Sequence, residues 1–311
     1  MKQLAEHLKD YLTLRRNLGF KLRGSDCLLR QFVRFANEQR ASHLTTELAL
    51  RWATQPTAAL PITLAGRYRT VRLFALYLST LDARTEVPPS GLLHYRKHRK
   101  PPFFYTDQQV VRLVRAARKL PSPRGLQGPT LSTLLGLLAA TGMRVGEAIG
   151  LDRQNVDLAN ALLTIPHAKG DRTRLVPVHA STCTMLRRFE RLRNRLCPRP
   201  RSSAFFVSEQ GDRLNDNRVR VWFANVSRQI GLRGPHDRRG PRIHDLRHRF
   251  TIKAMLKWYR TGKDVEAHLP ELATYLGHQH VSGTYWYLSA TPELLQQATR
   301  RWQQGKGEPI P

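Results

Sequence analysis

The segment His244-Asp245-Leu246-Arg247-His248-Arg249-Phe250 is followed about thirty residues later by Leu276-Gly277-His278, and then by Tyr285-Trp286-Tyr287. Arginine and histidine bind and protonate phosphate, and a phenol shortly downstream is a candidate nucleophile. Attack on the phosphorus of a phosphodiester concentrates negative charge on the non-bridging oxygens. Arginine meets that charge with a planar, forked set of donors, which a lysine ammonium does not offer. The chain carries 52 Lys and Arg against 23 Asp and Glu, a formal net charge of +29. Such an excess opposes compaction and points to a polyanionic partner, with DNA or RNA the obvious source of phosphate. The combination implies cleavage of a nucleic-acid backbone by a tyrosine.

A second guanidinium stands in Thr141-Gly142-Met143-Arg144-Val145-Gly146-Glu147, just after a glycine that ends the preceding helix. Arg144 and Arg247, from separate segments, would clamp both oxygens, the electrostatic role that usually dominates such catalysis. Expelling the leaving oxygen requires a general acid. Lys169, at the tip of a hairpin, fits that role, with Arg172 and Arg174 as competitors. His244 and His278 would donate hydrogen bonds to the phosphate or shuttle a proton, because imidazole titrates near neutrality. The nucleophile is Tyr287 or Tyr285. An unperturbed phenol has a pKa of about 10, so it needs cationic neighbours or a base. A phosphotyrosine ester retains the energy of the broken bond, so rejoining requires no ATP, and the chain has no GxxxxGK[ST] phosphate loop.

The same histidines admit other chemistry. His244 and His248 share one face of a helix at i, i+4, a spacing that suits zinc, and His278-Gln279-His280 adds potential ligands. However, Asp245 stands where a zinc-protease motif has Glu, and Arg247 would set a cation beside the metal. For His248 alone the competing expectation is a helix-packing role. A magnesium nuclease needs several carboxylates together, and Glu147, Asp152, Asp157 and Asp245 show no such spacing. Cys27, Cys183 and Cys197 form no CxxC pair and suggest neither a zinc ribbon nor a disulfide framework. No metal and no cofactor are expected.

A length of 311 residues accommodates two domains with a core in each. The longest apolar run, near 134–140, falls short of a membrane span, and MKQLAEHLKDYLTLRR has no apolar signal-peptide segment. A cytoplasmic, nucleoid-associated protein without a membrane partner is expected. Apolar residues at helical spacing predict four helices before residue 95, at 3–19, after Gly24, from Thr45 with a threonine cap, and at 63–82. No strand is predicted there, so 1–95 reads as a helical domain with Arg and Lys on its exposed faces. The basic, proline-rich segment 96–103 reads as a linker. Beyond it, helices are predicted from Thr106-Asp107 to about Leu120, at 130–140, and over 180–196, 215–230, 244–260, 266–275 and 292–303. Leu162–Ile165 and Leu175–Val178 flank His167–Arg172 as a hairpin, and Phe205–Val207 is a candidate third strand. The fold class is mainly α with a small antiparallel sheet.

These pieces, taken in order, resemble the tyrosine recombinases, or phage-integrase family: Thr-Gly-Met-Arg144-Val-Gly-Glu147, Lys169 in its hairpin, His244-Asp-Leu-Arg247-His248, Leu-Gly-His278, and Tyr287 nine residues on. The resemblance covers roughly 104–303, and the helical N-terminal region resembles the family's core-binding domain. It implies a two-domain clamp on duplex DNA: a core-binding domain at 1–95, a catalytic domain at 104–303 and a tail at 304–311. It also implies phosphate clamping by Arg144 and Arg247, and protonation of the 5′ oxygen by Lys169. His244 and His278 would assist as hydrogen-bond partners, Glu147 would support the site, and Tyr287 would form a 3′-phosphotyrosyl link. Homo-oligomers, from dimer to tetramer, would exchange strands through a Holliday junction to integrate, excise or transpose a mobile element. Two features depart from the pattern. The spacer between Arg247 and Leu276 is longer than usual, extending a helix or loop on the DNA-facing side. Tyr285 also offers a second phenol, about 200° from Tyr287 around a helix, so only one of them can enter the pocket. Spacing from His278 favours Tyr287. No room is expected before the first helices for a separate arm-binding domain. Two other functions fit the same fold: a non-catalytic DNA-binding regulator, and a type IB topoisomerase that relaxes supercoils.

Overall fold

A computed structural model of the chain describes residues 2–20, 22–95, 102–166, 173–237, 240–278, 280, 282–285, 287, 293–296 and 299–300. The chain packs as two compact units, Met1–Lys100 and Pro101–Pro311.

The first unit contains α1 (Lys2–Asn17), α2 (Arg23–Glu38), α3 (Thr46–Thr54) and α4 (Pro61–Leu78). Thr45 caps α3 by accepting the Leu48 N–H, and Pro61 opens α4, where its missing N–H costs nothing. Leu12, Leu29, Phe32, Trp52, Val71 and Phe74 form its core. The Arg67 guanidinium lies 3.8 Å above the Trp52 ring and donates to the Trp52 carbonyl, so this arginine is structural. Arg16, Arg34, Arg51 and Arg69 remain exposed.

The second unit is organised around α6 (Gln127–Thr141). Its residues Leu131, Leu134, Leu135, Leu137 and Leu138 are all buried, as expected of a helix that is apolar on every side. Around it pack α5 (Asp107–Arg118), α7 (Val145–Gly150), α8 (Ala180–Leu196), α9 (Asp216–Gln229) and α10 (Asp245–Arg260). A capping box starts α5: Thr106 accepts the Gln109 N–H while the Gln109 side chain takes the Thr106 N–H. Then α11 (Val265–Leu276) lies against α10, and the short α12 (Ser282–Tyr285) comes after it. Residues 293–296 and 299–300 are helical, and the remainder of the predicted 292–303 helix lies outside the described residues. No helix of the described residues is long and apolar enough to cross a membrane.

The sheet has three antiparallel strands in the order β1 (Val156–Asp157), β2 (Leu162–Ile165) and β3 (Arg174–Pro177), with Leu163 opposite Val156 on one side and Val176 on the other. The hairpin tip, 167–172, lies outside the described residues and takes Lys169 with it. The candidate strand at Phe205–Val207 is not one. Ala204 and Val207 make isolated bridges to Asp152 and Arg213, and the true third strand is Val156–Asp157. Local aromatic content misleads the strand expectation. Phe205 and Phe206 pack with Phe189 as a ring cluster, and the Phe205 carbonyl is taken by the buried Arg193 guanidinium at 2.8 Å.

Candidate active site

Two helix ends build the floor of the site. Helix α6 stops at Gly142 and α11 at Gly277, both left-handed, with φ of +64° and +66°. A larger residue at either position would be strained. A Cβ on Gly142 would meet the Phe250 ring at 2.5 Å, and one on Gly277 would meet the Arg174 guanidinium at 2.7 Å. The freed carbonyls at these C-termini carry partial negative charge and serve as acceptors for cations. Arg247, near the start of α10, donates Nη1 to the Gly142 carbonyl at 2.9 Å and Nη2 to the Leu276 carbonyl at 2.6 Å. Arg144, the N-cap of α7, donates Nη2 to the Gly277 carbonyl at 3.1 Å.

Glu147 holds the second layer together. Its carboxylate accepts the Arg144 N–H at 2.8 Å and Arg144 Nη1 at 2.7 Å, and it receives Arg174 from β3 in a two-pronged pair at 2.8 and 2.9 Å. Burial pushes Glu147 up, but the hydrogen bonds from Arg174 and Arg144 outweigh it and hold the carboxyl at about 2. Arg247 is 2% exposed and, among the described residues, has no carboxylate within hydrogen-bond reach. Burial, reinforced by Arg144, lowers it to about 10, so it remains a cation at neutral pH. Three guanidiniums therefore face one carboxylate, and the cluster keeps a net positive charge that an anion would neutralise.

The imidazoles line the other side. His278 Nδ1 pairs with the buried Thr284 hydroxyl at 2.7 Å, which fixes the ring and leaves Nε2 as its remaining nitrogen. His244 is exposed, its ring edge-on to His248 at 4.8 Å between centroids. His248 Nδ1 lies 2.7 Å from the Tyr287 hydroxyl. Tyr287 is 3% exposed and packs with Ile252, Met255, Leu272 and Leu276 in the core between α10 and α11. Tyr285, by contrast, is 48% exposed. Burial, with His244 as the next cause, lowers His248 to about 4, and burial followed by Arg247 and Arg144 takes His278 to about 4. His244 moves in the same direction, first from the covered part of its ring and then from Arg247. All three imidazoles are neutral at pH 7 when no anion is bound.

The structure thus brings Arg144, Glu147, His244, Arg247, His278 and Tyr287 into one site, while Lys169 lies outside the described residues. Three further residues join them. The sequence suggests His248 only as a packing residue or zinc ligand and Arg174 only as a competitor of Lys169, and it gives no sign of Thr284. The i, i+4 spacing of His248 from His244 is the one signal that marks it. The carboxylates considered for magnesium are committed separately: Asp152 to Arg213 and Ser203, Asp157 to Asn160, Asp245 to Arg242 and Glu147 to its two arginines. Among the described residues no group of three or more His, Cys, Asp or Glu is arranged to hold a metal ion. In the spacer, α10 runs on to Arg260. Trp258 stacks on His268 of α11, and Arg260 pairs with Glu293 at 2.6 Å, so those residues fasten the end of α10 to α11 and to the helical turn at 293–296.

The depressed histidines make stability depend on pH. Histidines of an unfolded chain titrate near 6.5, whereas His248 and His278 titrate near 4. Between those values the unfolded state binds more protons, so stability rises with pH there and is lost as pH falls from 6.5 to 4. Glu147 extends the loss toward pH 2, because its folded pKa lies below the ordinary 4.5. Thermal melts of the DNA-free protein across pH 4 to 7 are expected to show it, with Tm shifting roughly 2–4 °C per kcal/mol. Replacing both His248 and His278 with glutamine should reduce the slope in that window, leaving the part contributed by His244.

The class defined by this fold and site matches the comparisons with known proteins. The phage integrase family profile matches residues 104–293. The chain belongs to the phage integrase family. Over 97% of both chains it is 43% identical to the provisionally named integrase/recombinase y4rB of Sinorhizobium fredii. It is 28% identical to the tyrosine recombinase XerC of Herpetosiphon aurantiacus, over 92% of this chain and 90% of that one. Among solved structures, the Tn1549 transposon integrase in complex with transposon right-end DNA superimposes with a TM-score of 0.64 at 14% identity, covering 96% of this chain and 98% of that one. The XerH recombinase bound to palindromic difH substrate gives 0.62 at 20% identity, covering 89% and 78%. A lambda integrase tetramer bound to a Holliday junction gives 0.57 at 15% identity, covering 89% and 77%. At these identities the structures testify to the fold.

Proposed function

We propose that this tyrosine-type site-specific DNA recombinase cleaves duplex DNA through Tyr287, forming a 3′-phosphotyrosyl link, and rejoins strands without ATP. The observation that carries the reading is the excess of guanidinium over carboxylate beside a buried phenol: Arg144, Arg174 and Arg247 against Glu147, with Arg247 interacting electrostatically with Tyr287. A phosphodiester entering there offsets part of that excess, and more of it as negative charge builds on its oxygens during attack. Arg144 and Arg247 would hold its non-bridging oxygens, already oriented by the helix-end carbonyls, so little reorganisation is needed when charge develops on them. His278, aligned by Thr284, and His244 at the rim would donate to the same oxygens. Lys169 is the proposed acid for the 5′ oxygen, and Glu147 positions Arg144.

The N-terminal helical unit is proposed to grip the duplex through its exposed arginines, with residues 96–103 as the link between the domains. The working form is proposed to be a homo-oligomer on DNA, a dimer or tetramer at the nucleoid, moving a mobile element by integration, excision or transposition. The test is covalent capture from a library of randomised duplexes, followed by protease digestion and sequencing of the attached ends. Recovery of one sequence linked through its 3′ phosphate to Tyr287 is the expected result. Capture without sequence preference would make the protein a relaxing topoisomerase. Salt-sensitive binding with no adduct under any condition would make it a regulator that only binds.

A further inference from the structure

We propose that His248 is a catalytic residue of strand cleavage, its Nδ1 accepting the proton of the Tyr287 phenol as the phenolic oxygen attacks phosphorus. This rests on the reading of Tyr287 as the nucleophile.

The geometry is that of a proton transfer already lined up. Tyr287 Oη and His248 Nδ1 are 2.7 Å apart, within the range required of a general base and its proton. The two rings are tilted by 51° with centroids 5.3 Å apart, so the contact is made edge to edge through the polar atoms and not by stacking. A phenol that is 3% exposed has little bulk water to receive its proton. The neutral form of His248 is the one present at pH 7, which allows Nδ1 to accept the hydroxyl proton.

The other imidazoles have different attachments. His278 spends Nδ1 on Thr284, and His244 sits edge-on to His248 at an exposed position. The groups that set the basicity of His248 are its own burial, then His244, Asp245, Arg242 and Arg247, with the Tyr287 hydroxyl facing it from beyond α12. Three of the four side chains among those causes lower its proton affinity, and Asp245 raises it. A bound phosphodiester adds negative charge beside Arg247, offsetting part of the cationic influence, so His248 becomes a better base once substrate is in place.

The step balances. The bond from Tyr287 Oη to phosphorus forms as the bond from phosphorus to the 5′ oxygen breaks. The phenolic proton passes to His248 Nδ1, and the 5′ oxygen is protonated by the proposed acid, Lys169. Rejoining runs in reverse, with the 5′ hydroxyl attacking phosphorus and His248 returning its proton to the departing phenoxide.

The experiment uses the full chain and a nicked duplex carrying the captured sequence, in which cleavage releases a short strand and traps the adduct. Adduct formation is followed from pH 6 to 9 for the natural protein and for His248→Asn, which keeps a polar side chain but no base. The variant is expected to bind the duplex unchanged and to cleave it about 10²–10⁴-fold more slowly at pH 7, the usual range for a general base. The deficit should shrink as pH rises toward ionisation of the phenol itself. A rate equal to that of the natural protein, or a loss identical at every pH, would overturn the proposal and leave His248 as packing. Should His248→Asn lose duplex binding, His248→Ala assayed with and without added imidazole reads the same step. Restoration by imidazole supports the assignment, and absence of restoration overturns it. An adduct that persists in Tyr287→Phe would overturn the nucleophile reading and this proposal together. A normal rate in His248→Asn with Tyr287 still required overturns this one alone.

Discussion

Tyr287→Phe is expected to abolish the covalent protein–DNA adduct, and Tyr285→Phe to leave it intact. The two phenols are two residues apart but occupy different environments. Tyr285 ends α12 with nearly half its surface open to solvent, whereas Tyr287 is buried among α10 and α11 with its hydroxyl on His248. Tyr287 has a nitrogen placed to take its proton and a guanidinium, Arg247, within electrostatic range. Removing the Tyr287 hydroxyl deletes its hydrogen bond to His248 while keeping the ring in its core. The expected cost to folding is about 1 kcal/mol, or roughly 2–4 °C in Tm. Loss of the adduct with duplex binding and melting nearly unchanged would therefore report chemistry and not misfolding. An adduct retained by Tyr287→Phe and lost by Tyr285→Phe would move the nucleophile to Tyr285.

How much of this is legible in the sequence depends on how local the determining interaction is. Thr45 and Thr106 announce their helices because a cap bonds to a backbone N–H within the next turn. Gly142 marks the end of α6, and the apolar residues of 130–140 mark it as a central helix. The motif order identifies the candidate side chains. It does not reveal what holds them, because Arg247 rests on carbonyls 105 and 29 residues away in the chain. A carbonyl has no residue type and leaves no trace in composition. Arg174 is hidden for a related reason. Its bond to Glu147 spans 27 residues, and in a chain with 52 Lys and Arg no single arginine stands out. The strand expected at Phe205–Val207 fails because aromatic content reads alike in a strand and in a buried ring cluster.

The same distant carbonyls make Arg247→Lys a severe change although it preserves charge. The guanidinium reaches the Gly142 and Leu276 carbonyls through separate nitrogens, which fixes its plane between the C-termini of α6 and α11. An ammonium is a single donor centre on a flexible stem and cannot hold both carbonyls in that geometry while also presenting a fork to phosphate. Cleavage is expected to fall about 10²–10³-fold, the loss typical for one misplaced donor to a developing oxyanion. Non-covalent binding to the duplex should change little, because total charge is kept and the electrostatic part of duplex binding follows charge. Gly142→Ala should reproduce part of this loss with Arg247 untouched. The added methyl meets Phe250, and the left-handed backbone is strained for alanine, so the carbonyl that holds Nη1 must shift. If the carbonyl acts through the guanidinium, the double variant should be little worse than Arg247→Lys alone, since neighbours sharing one interaction are not additive. Single-turnover cleavage rates of the four proteins decide the matter. Fully multiplicative losses would separate the helix-end carbonyl from the phosphate clamp and make Gly142 a determinant of folding only.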